Sequence, residues 1–280
     1  MIDESPTTLM AAAADVARLA GDVALRHFRT ALTVEAKSDG SPVTVADREA
    51  ERTARDWIEA RFPRDGILGE ELGTTRPDAA RRWIVDPIDG TRTFLRGVPL
   101  WGTLVAAVEG DRVVAGAAYY PAIGELLAAA PGAGAWWNGA RCSVSGVASL
   151  SEATVLTTDE RFTHSASQRE SWTRLAVSAR MSRSWGDCYG YLLVATGRAE
   201  LMVDGILSAW DAAPFLPIIE EAGGVLTDWA GHRTAFGGSA IATNSALAAR
   251  AREVLGAGAL SATTTPTIVP TTASMERPND

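Results

Sequence analysis

Residues 83–94 read WIVDPIDGTRTF. An apolar run, Trp83-Ile84-Val85, has the look of a short buried strand, yet it ends in two carboxylates, Asp86 and Asp89, with Pro87 between them and Gly90-Thr91 after. Residues three apart do not share a face of a strand. Either a turn needs Asp, Pro and Gly for its backbone, or a site needs negative charge. Asp89-Gly90 taken alone reads as a turn.

Two further acidic positions change the balance. Glu70 lies in GILGEELG and Asp211 in SAWDAAPF, each at a predicted strand end or helix start. Trp83-Ile84-Val85 before Asp86 and Trp210 before Asp211 would set carboxylates beside buried core, where an ion is costly unless it is paired or bound to metal. Nearby cations are few: Arg81 and Arg82 precede the strand and Arg92 follows the turn. Oxygen-only ligands, without His or Cys, suit a hard cation such as Mg²⁺. Pro87 fixes the backbone so that the Ile88 carbonyl can face the same way as the flanking carboxylates. Gly90 and Thr91 would offer backbone N–H groups to a phosphate. Carboxylates beside an N–H cradle are what metal-assisted hydrolysis of a phosphate ester requires.

The rest of the chain fits an enzyme of that kind. Its 280 residues are long enough for one large domain or two lobes, and 46% hydrophobic with 21% charged residues is ordinary for a globular protein. The formal net charge of −8 argues against binding a nucleic-acid backbone. It does not argue against a small anionic substrate, because bound metal reverses the local sign. Cys142 and Cys188 are too few for a disulfide framework or a thiolate zinc site. Asp3 and Glu4 stand where a signal peptide would carry basic residues, and no uncharged apolar run reaches membrane-spanning length. A cytoplasmic protein with no membrane partner is the expectation.

Periodicity predicts helices over 8–29, with Leu9, Ala13, Val16, Ala20 and Ala24 on one face, and over 45–61, with Thr44 as N-cap and Pro63 as stop. Thr103–Val108 and Val113–Tyr119 flank Glu109-Gly110-Asp111 as a hairpin, and Asn138-Gly139 is the pair that a tight two-residue turn prefers. Helices are expected at 167–178, 189–195, 210–222 and 245–255, with short strands at 201–203, 225–227 and 240–242. The order of elements predicts two lobes, about 1–145 and 146–258, packed as one unit with a cleft between them. Residues 259–280, rich in Thr and Pro, are expected to form a disordered tail.

DPIDGT, with GEE upstream and WDAAPFLPIIEEAGG downstream, resembles the inositol monophosphatase superfamily of Mg²⁺-dependent phosphatases. The likeness covers nearly the whole chain, 8–255, with several motifs in the right order. It implies the layered αβαβα sandwich of the sugar phosphatases and two or three Mg²⁺ ions per site. By the same resemblance Glu70, Asp86, Asp89, Asp211 and the Ile88 carbonyl would hold metal. Thr91 and Glu70 would orient the nucleophilic water, Asp47 would support Thr91, and Gly90 and Thr91 would bind phosphate. A homodimer is expected on that basis alone.

Two stretches, FLRGVPLWGTLVA and RSWGDCYGYLLVATG, resemble the histidinol-phosphate phosphatase branch more than the inositol branch. Histidinol phosphate carries an amine and an imidazole, both able to be cationic, whereas inositol is neutral. Asp187 and Asp204 would complement those donors, Trp185 or Tyr189 would stack on the ring, and Arg183 would meet the phosphate or pair with Asp187. Asp89, Gly90, Thr91 and Asp211 complete the predicted substrate-binding set. The competing role for Asp187 is as a cap on the helix that follows it.

Other readings carry less. Within the superfamily the alternatives are inositol monophosphatase, fructose bisphosphatase and nucleotide 3′-phosphatase. Gly132-Ala133-Gly134 lacks the third glycine of a dinucleotide-binding turn and opens no helix. Gly238-Ser239-Ala240 lacks the second glycine of a nucleophile elbow. A non-catalytic metal-binding relative would have lost a ligand position, and here all are filled.

Overall fold

Ser5 caps the first helix: its hydroxyl accepts from the Thr8 amide at 3.3 Å, and Pro6 sits in the first turn, where a missing N–H costs nothing. The computed structural model describes residues 5–38 and 40–260, and from this cap α1 runs over Pro6–His27. The ribbon of β1 (Glu35–Ala36) and β2 (Pro42–Val43) leads to α2 (Val45–Arg61). Its N-cap is Thr44, which accepts from the Ala46 amide at 3.1 Å, while Asp47 reaches back to the Thr44 amide at 2.8 Å. Next come β3 (Gly66–Gly69), β4 (Gly73–Thr75), β5 (Arg81–Asp89) and the short α3 (Thr91–Leu95). A meander follows through β6 (Gly102–Glu109), β7 (Arg112–Tyr120), β8 (Glu125–Ala130), β9 (Gly134–Trp137) and β10 (Ala140–Arg141). Asn138 and Gly139 form its last turn, both at positive φ.

The second half alternates. It runs β11 (Thr154–Leu156), α4 (Ala166–Ser178), β12 (Met181–Arg183), α5 (Cys188–Ala195) and β13 (Leu201–Asp204). Then come α6 (Ala209–Ala212), α7 (Phe215–Glu221), β14 (Gly224–Thr227), β15 (Ala240–Asn244) and α8 (Ala248–Leu255). The single helix expected over 210–222 is in fact two, because Pro214 supplies no amide to the preceding turn and crowds its carbonyls.

The strands form two large sheets, ordered β10-β9-β8-β7-β6-β5-β3-β4 and β12-β11-β13-β15-β14. In β5 the alternation of side chains separates the layers. Trp83 and Val85 face α1 and α2, packing with Val16, Ala20, Ala50 and Ile58. Ile84 faces the other way, with Leu104 and Ala118, toward Leu192 of α5, Phe215 and Ile218 of α7, and Met202 and Ala242 of the second sheet. The far side of the second sheet, with Val155, Leu201 and Ile241, is covered by Trp172 and Leu175 of α4 and Leu255 of α8. The result is a five-layer αβαβα sandwich, as the sequence resemblance implies.

The first sheet ends at Arg141 and the second begins at Thr154, with one apolar cluster joining both. From residue 261 on, the expected tail lies outside the described residues. Among the described residues no helix is long and apolar enough to cross a membrane.

Candidate active site

Asp86 continues the Ile84 face of β5 and therefore points into the middle layer. Its pairing partner on β6 is Leu104, whereas that of Asp89 is Gly102. Three steps on β5 thus oppose two on β6, and the extra residue is a β-bulge at Pro87-Ile88. The bulge is held from both sides: Asp86 Oδ1 accepts from the Ile88 amide at 3.0 Å, and the Thr103 hydroxyl donates to the Pro87 carbonyl at 2.7 Å. Pro87, which has no N–H to give, suits this break in the ladder.

Asp211 arrives from α6, where its Oδ2 accepts from the Ser208 amide at 2.8 Å. Carboxylate oxygens of Asp86, Asp89 and Asp211 lie within 4.8 Å of one another. Burial pushes Asp86 well above the usual carboxylate range, helped by the charges of Glu70, Asp89 and Asp211. Burial likewise raises Asp89, with Asp187 and Asp211 adding to it. Asp211 is pushed up to about 7, by burial first and against the opposing Ser208 amide. Of the cations nearest in sequence, Arg81 is committed elsewhere, pairing with Asp65 at 2.7 Å. Crowded, dehydrated carboxylates with oxygen donors only are a donor set that fits a hard divalent cation.

Glu70 follows β3, and its amide donates to the Val85 carbonyl at 3.1 Å. Its carboxylate meets the Lys37 ammonium at 2.7 Å, and the same ammonium meets Glu71 at 2.6 Å. Lys37 is the only lysine in the chain. A compact ammonium with three rotatable donors bridges the two carboxylates as a point charge. Sequence reasoning missed Lys37; its solitary use among 26 basic residues was the available signal.

Gly90 turns the chain from β5 into α3 at φ 82°, and a Cβ there would sit 3.1 Å from Asp187 Oδ2. The Thr91 hydroxyl donates to the Ile88 carbonyl at 3.0 Å. The Asp47–Thr91 link implied by the resemblance is not among the hydrogen bonds formed. Asp47 Oδ2 is taken by the Thr44 amide and hydroxyl, at 2.8 and 2.7 Å, while Asp47 Oδ1 is buried without a hydrogen bond.

Asp187 occupies the N-cap position of α5, but its side chain makes no cap. It turns instead toward α3 and accepts from the Thr93 hydroxyl at 3.2 Å. Burial raises it, against the opposing effects of Thr93 and of the Arg92 charge. Its backbone, at φ 49° and ψ −154°, lies close to a region that glycine alone adopts readily, a strain of ~1–3 kcal/mol. The next amide, Cys188, donates to Asp89 Oδ2 at 2.5 Å. Thr93 and the Cys188 amide were not legible in sequence, because both act across 94 or more residues of chain separation.

The other predicted substrate residues fall in different places. Asp204 is buried at the end of β13, with Oδ1 taken by the Thr158 amide at 3.1 Å and Oδ2 by the Tyr191 hydroxyl at 2.9 Å. Burial pushes it up to about 6. Arg183 is not brought to the acidic cluster. It is exposed on the edge strand β12, donates to the Ser182 carbonyl at 2.7 Å and lies 6.0 Å from the Trp185 ring. The guanidinium whose charge acts on Asp187 is Arg92. Tyr189 packs edge-on against Tyr120 at 6.3 Å.

A cavity of about 130 Å³ lies among Asp89, Thr158, Asp187, Tyr191 and Asp211. Beside it a groove of about 620 Å³ is lined by Arg92, Thr93, Arg96, Leu100 and Asp187. Asp187 belongs to both, so it stands between the acidic cluster and the wider entrance.

The sequence profile of the inositol monophosphatase family matches residues 5–263. A histidinol-phosphatase of Chlorobaculum parvum is 42% identical over 88% of this chain and 96% of that protein. A histidinol-phosphatase of Mycobacterium tuberculosis is 39% identical over 77% of this chain and 85% of its own length. Among solved structures, the extragenic suppressor protein SuhB of Bartonella henselae superposes with a TM-score of 0.83 at 29% identity, covering 88% of this chain and 97% of that one.

Proposed function

The chain belongs to the inositol monophosphatase family and is a phosphoric monoester hydrolase; on that premise we propose that it converts L-histidinol phosphate and water to L-histidinol and phosphate, with Mg²⁺ as cofactor. The observation that carries the metal reading is the convergence of Asp86, Asp89 and Asp211, with oxygens within 4.8 Å, at a bulge that turns both strand aspartates inward. Those three residues, Glu70 and the Ile88 carbonyl would hold two or three ions. When bound, Mg²⁺ supplies positive charge to the phosphate and acidity to a coordinated water.

The remaining work falls to side chains and backbone of this protein. Gly90 and Thr91 open α3 and present amides that its short helix does not use, so a phosphate oxygen finds donors there. In this reading Thr91 and Glu70 orient the water that attacks phosphorus as the ester P–O bond breaks. In the same reading Asp47 would support Thr91 through its buried Oδ1, which makes no hydrogen bond, once the Thr91 hydroxyl leaves the Ile88 carbonyl.

Asp187 supports the choice of alcohol. It accepts from Thr93, caps nothing, and stands where the groove meets the cluster, so its charge faces the leaving group's amine or imidazole. The two histidinol-phosphatase relatives support the same substrate. The reading places the protein in histidine biosynthesis, as a cytoplasmic homodimer. A phosphate-release assay over histidinol phosphate, inositol 1-phosphate, fructose 1,6-bisphosphate and a 3′-phosphonucleotide tests it. Histidinol phosphate should give the highest kcat/KM; a clear preference for any other member overturns the substrate assignment.

A further inference from the structure

Asp187 holds a backbone conformation that an aspartate does not choose, so something outside its own dihedral preference must hold it there. Two contacts do so, and both come from Thr158, two residues beyond the end of β11. The Asp187 amide donates to the Thr158 hydroxyl at 2.9 Å. Gly186 lies flat on the same residue, and a Cβ at 186 would come within 2.2 Å of Thr158 Cα. Thr158 is fixed in turn, because its amide donates to Asp204 Oδ1 at 3.1 Å, and Asp204 is anchored by the Tyr191 hydroxyl at 2.9 Å. A chain of hydrogen bonds therefore runs from Tyr191 through Asp204 and Thr158 to Asp187, and the Cys188 amide extends it to Asp89 at 2.5 Å.

We propose that Thr158 is the positioning residue for substrate choice: its hydroxyl, set by Asp204, pins the strained amide of Asp187 so that the carboxylate stands over Gly90 and Thr93, facing the leaving group. The inference rests on the reading of Asp187 as the carboxylate that recognises a cationic alcohol. It also gives Asp204 a different task from the one expected from sequence. Both of its oxygens are already engaged by protein donors, and it acts on substrate through Thr158.

Thr158→Val removes the acceptor at nearly constant shape, and Thr158→Ser keeps it. The measurement is kcat/KM for histidinol phosphate relative to p-nitrophenyl phosphate, which has no cationic group. In T158V this ratio should fall about tenfold, mostly through KM, as expected for one lost interaction. T158S should restore the wild-type ratio. The double variant T158V/D187A should be no less selective than D187A alone, since both changes remove the same interaction. Equal losses on both substrates, failure of serine to restore the ratio, or additive effects in the double variant would each overturn the proposal.

A second readout does not depend on the substrate. Asp187→Gly relieves the strain and Asp187→Ala does not, while both remove the charge. D187G should melt above D187A when Thr158 is present, and the gap should close in the T158V background. A gap that persists with valine shows that Thr158 does not impose the conformation, and the proposal falls. If wild-type enzyme shows no preference for histidinol phosphate, the substrate reading fails, whereas the melting comparison still decides whether Thr158 positions Asp187.

Discussion

Asp86 and Asp89 are three residues apart in one strand and yet turn oxygens toward a common point, within 4.8 Å of each other and of Asp211. A regular strand would send them to opposite faces of the sheet. The bulge at Pro87-Ile88 supplies the missing half-period, since one extra residue restores the parity of positions two apart. The charge cost is visible in both carboxylates, which burial and mutual repulsion raise well above their ordinary range. A site that stores this much repulsion is built to be neutralised by a ligand rather than by the protein.

Replacing Asp89 with Asn tests the assignment. The Cys188 amide, which donates to Asp89 Oδ2, will hold the Asn carbonyl oxygen and leave the amide NH₂ where a cation should sit. Turnover should drop at least ~10²-fold through loss of a metal ligand. Without metal the variant should melt no lower than wild type, because a repelled charge has been removed. Near-wild-type turnover in steady-state assays would sink the site.

Removal of metal is the second test. Treatment with EDTA should abolish phosphate release, and Mg²⁺ should restore it. The same titration followed by melting should show stabilisation, about 2.7 kcal/mol at a free ion concentration a hundred times Kd. Unchanged activity and melting after chelation would remove the cation from the reading.

The degree to which sequence foretold this arrangement follows the range of the interactions. The end of β5, the break after Gly90 and the start of α2 at Thr44 rest on local chemistry, and all were legible. The meeting of Glu70, the β5 pair and Asp211 came from resemblance, because nothing local tells α6 to pack against β5. Pro214 marks a break, yet the apolar periodicity runs across it and by itself predicts one helix where the fold has two. Arg183 and Asp187 are close in sequence but do not pair, because Asp187 turns toward Thr93 across the positive φ at 187. That turn is a property of the Thr158 contact and leaves no mark in RSWGDC.

Asp187→Ala should distinguish substrates. Losing a carboxylate that faces a cationic group costs about one charge-assisted hydrogen bond, so KM for histidinol phosphate should rise by roughly tenfold or more. KM for inositol 1-phosphate, which brings no cation, should change much less. Equal effects in parallel Michaelis–Menten series would leave Asp187 as a structural element of α5 only.

Asp204 gives the pH test. Burial pushes its carboxyl up to about 6, with the Thr158 side chain, the Tyr191 hydroxyl and the Thr158 amide opposing part of that rise. The folded pKa is above the unfolded value, so the neutral carboxyl contributes stability in full below about pH 4. That contribution is lost as pH climbs through 6, amounting to ~3 kcal/mol at most for a group this buried. Asp204→Asn removes the titration and keeps an acceptor for the Thr158 amide. In metal-free protein the melting temperature of wild type should therefore decline relative to the variant between about pH 4 and pH 6.5, and the two should run parallel above pH 7. Glu71, also raised to about 7, owes that rise to burial and to Glu70 and Asp47, so it acts on both proteins alike and cancels in the difference. Melting curves that stay parallel across the whole range would show that Asp204 is ionised in the fold without penalty, and that the Tyr191 and Thr158 donors fully offset its burial.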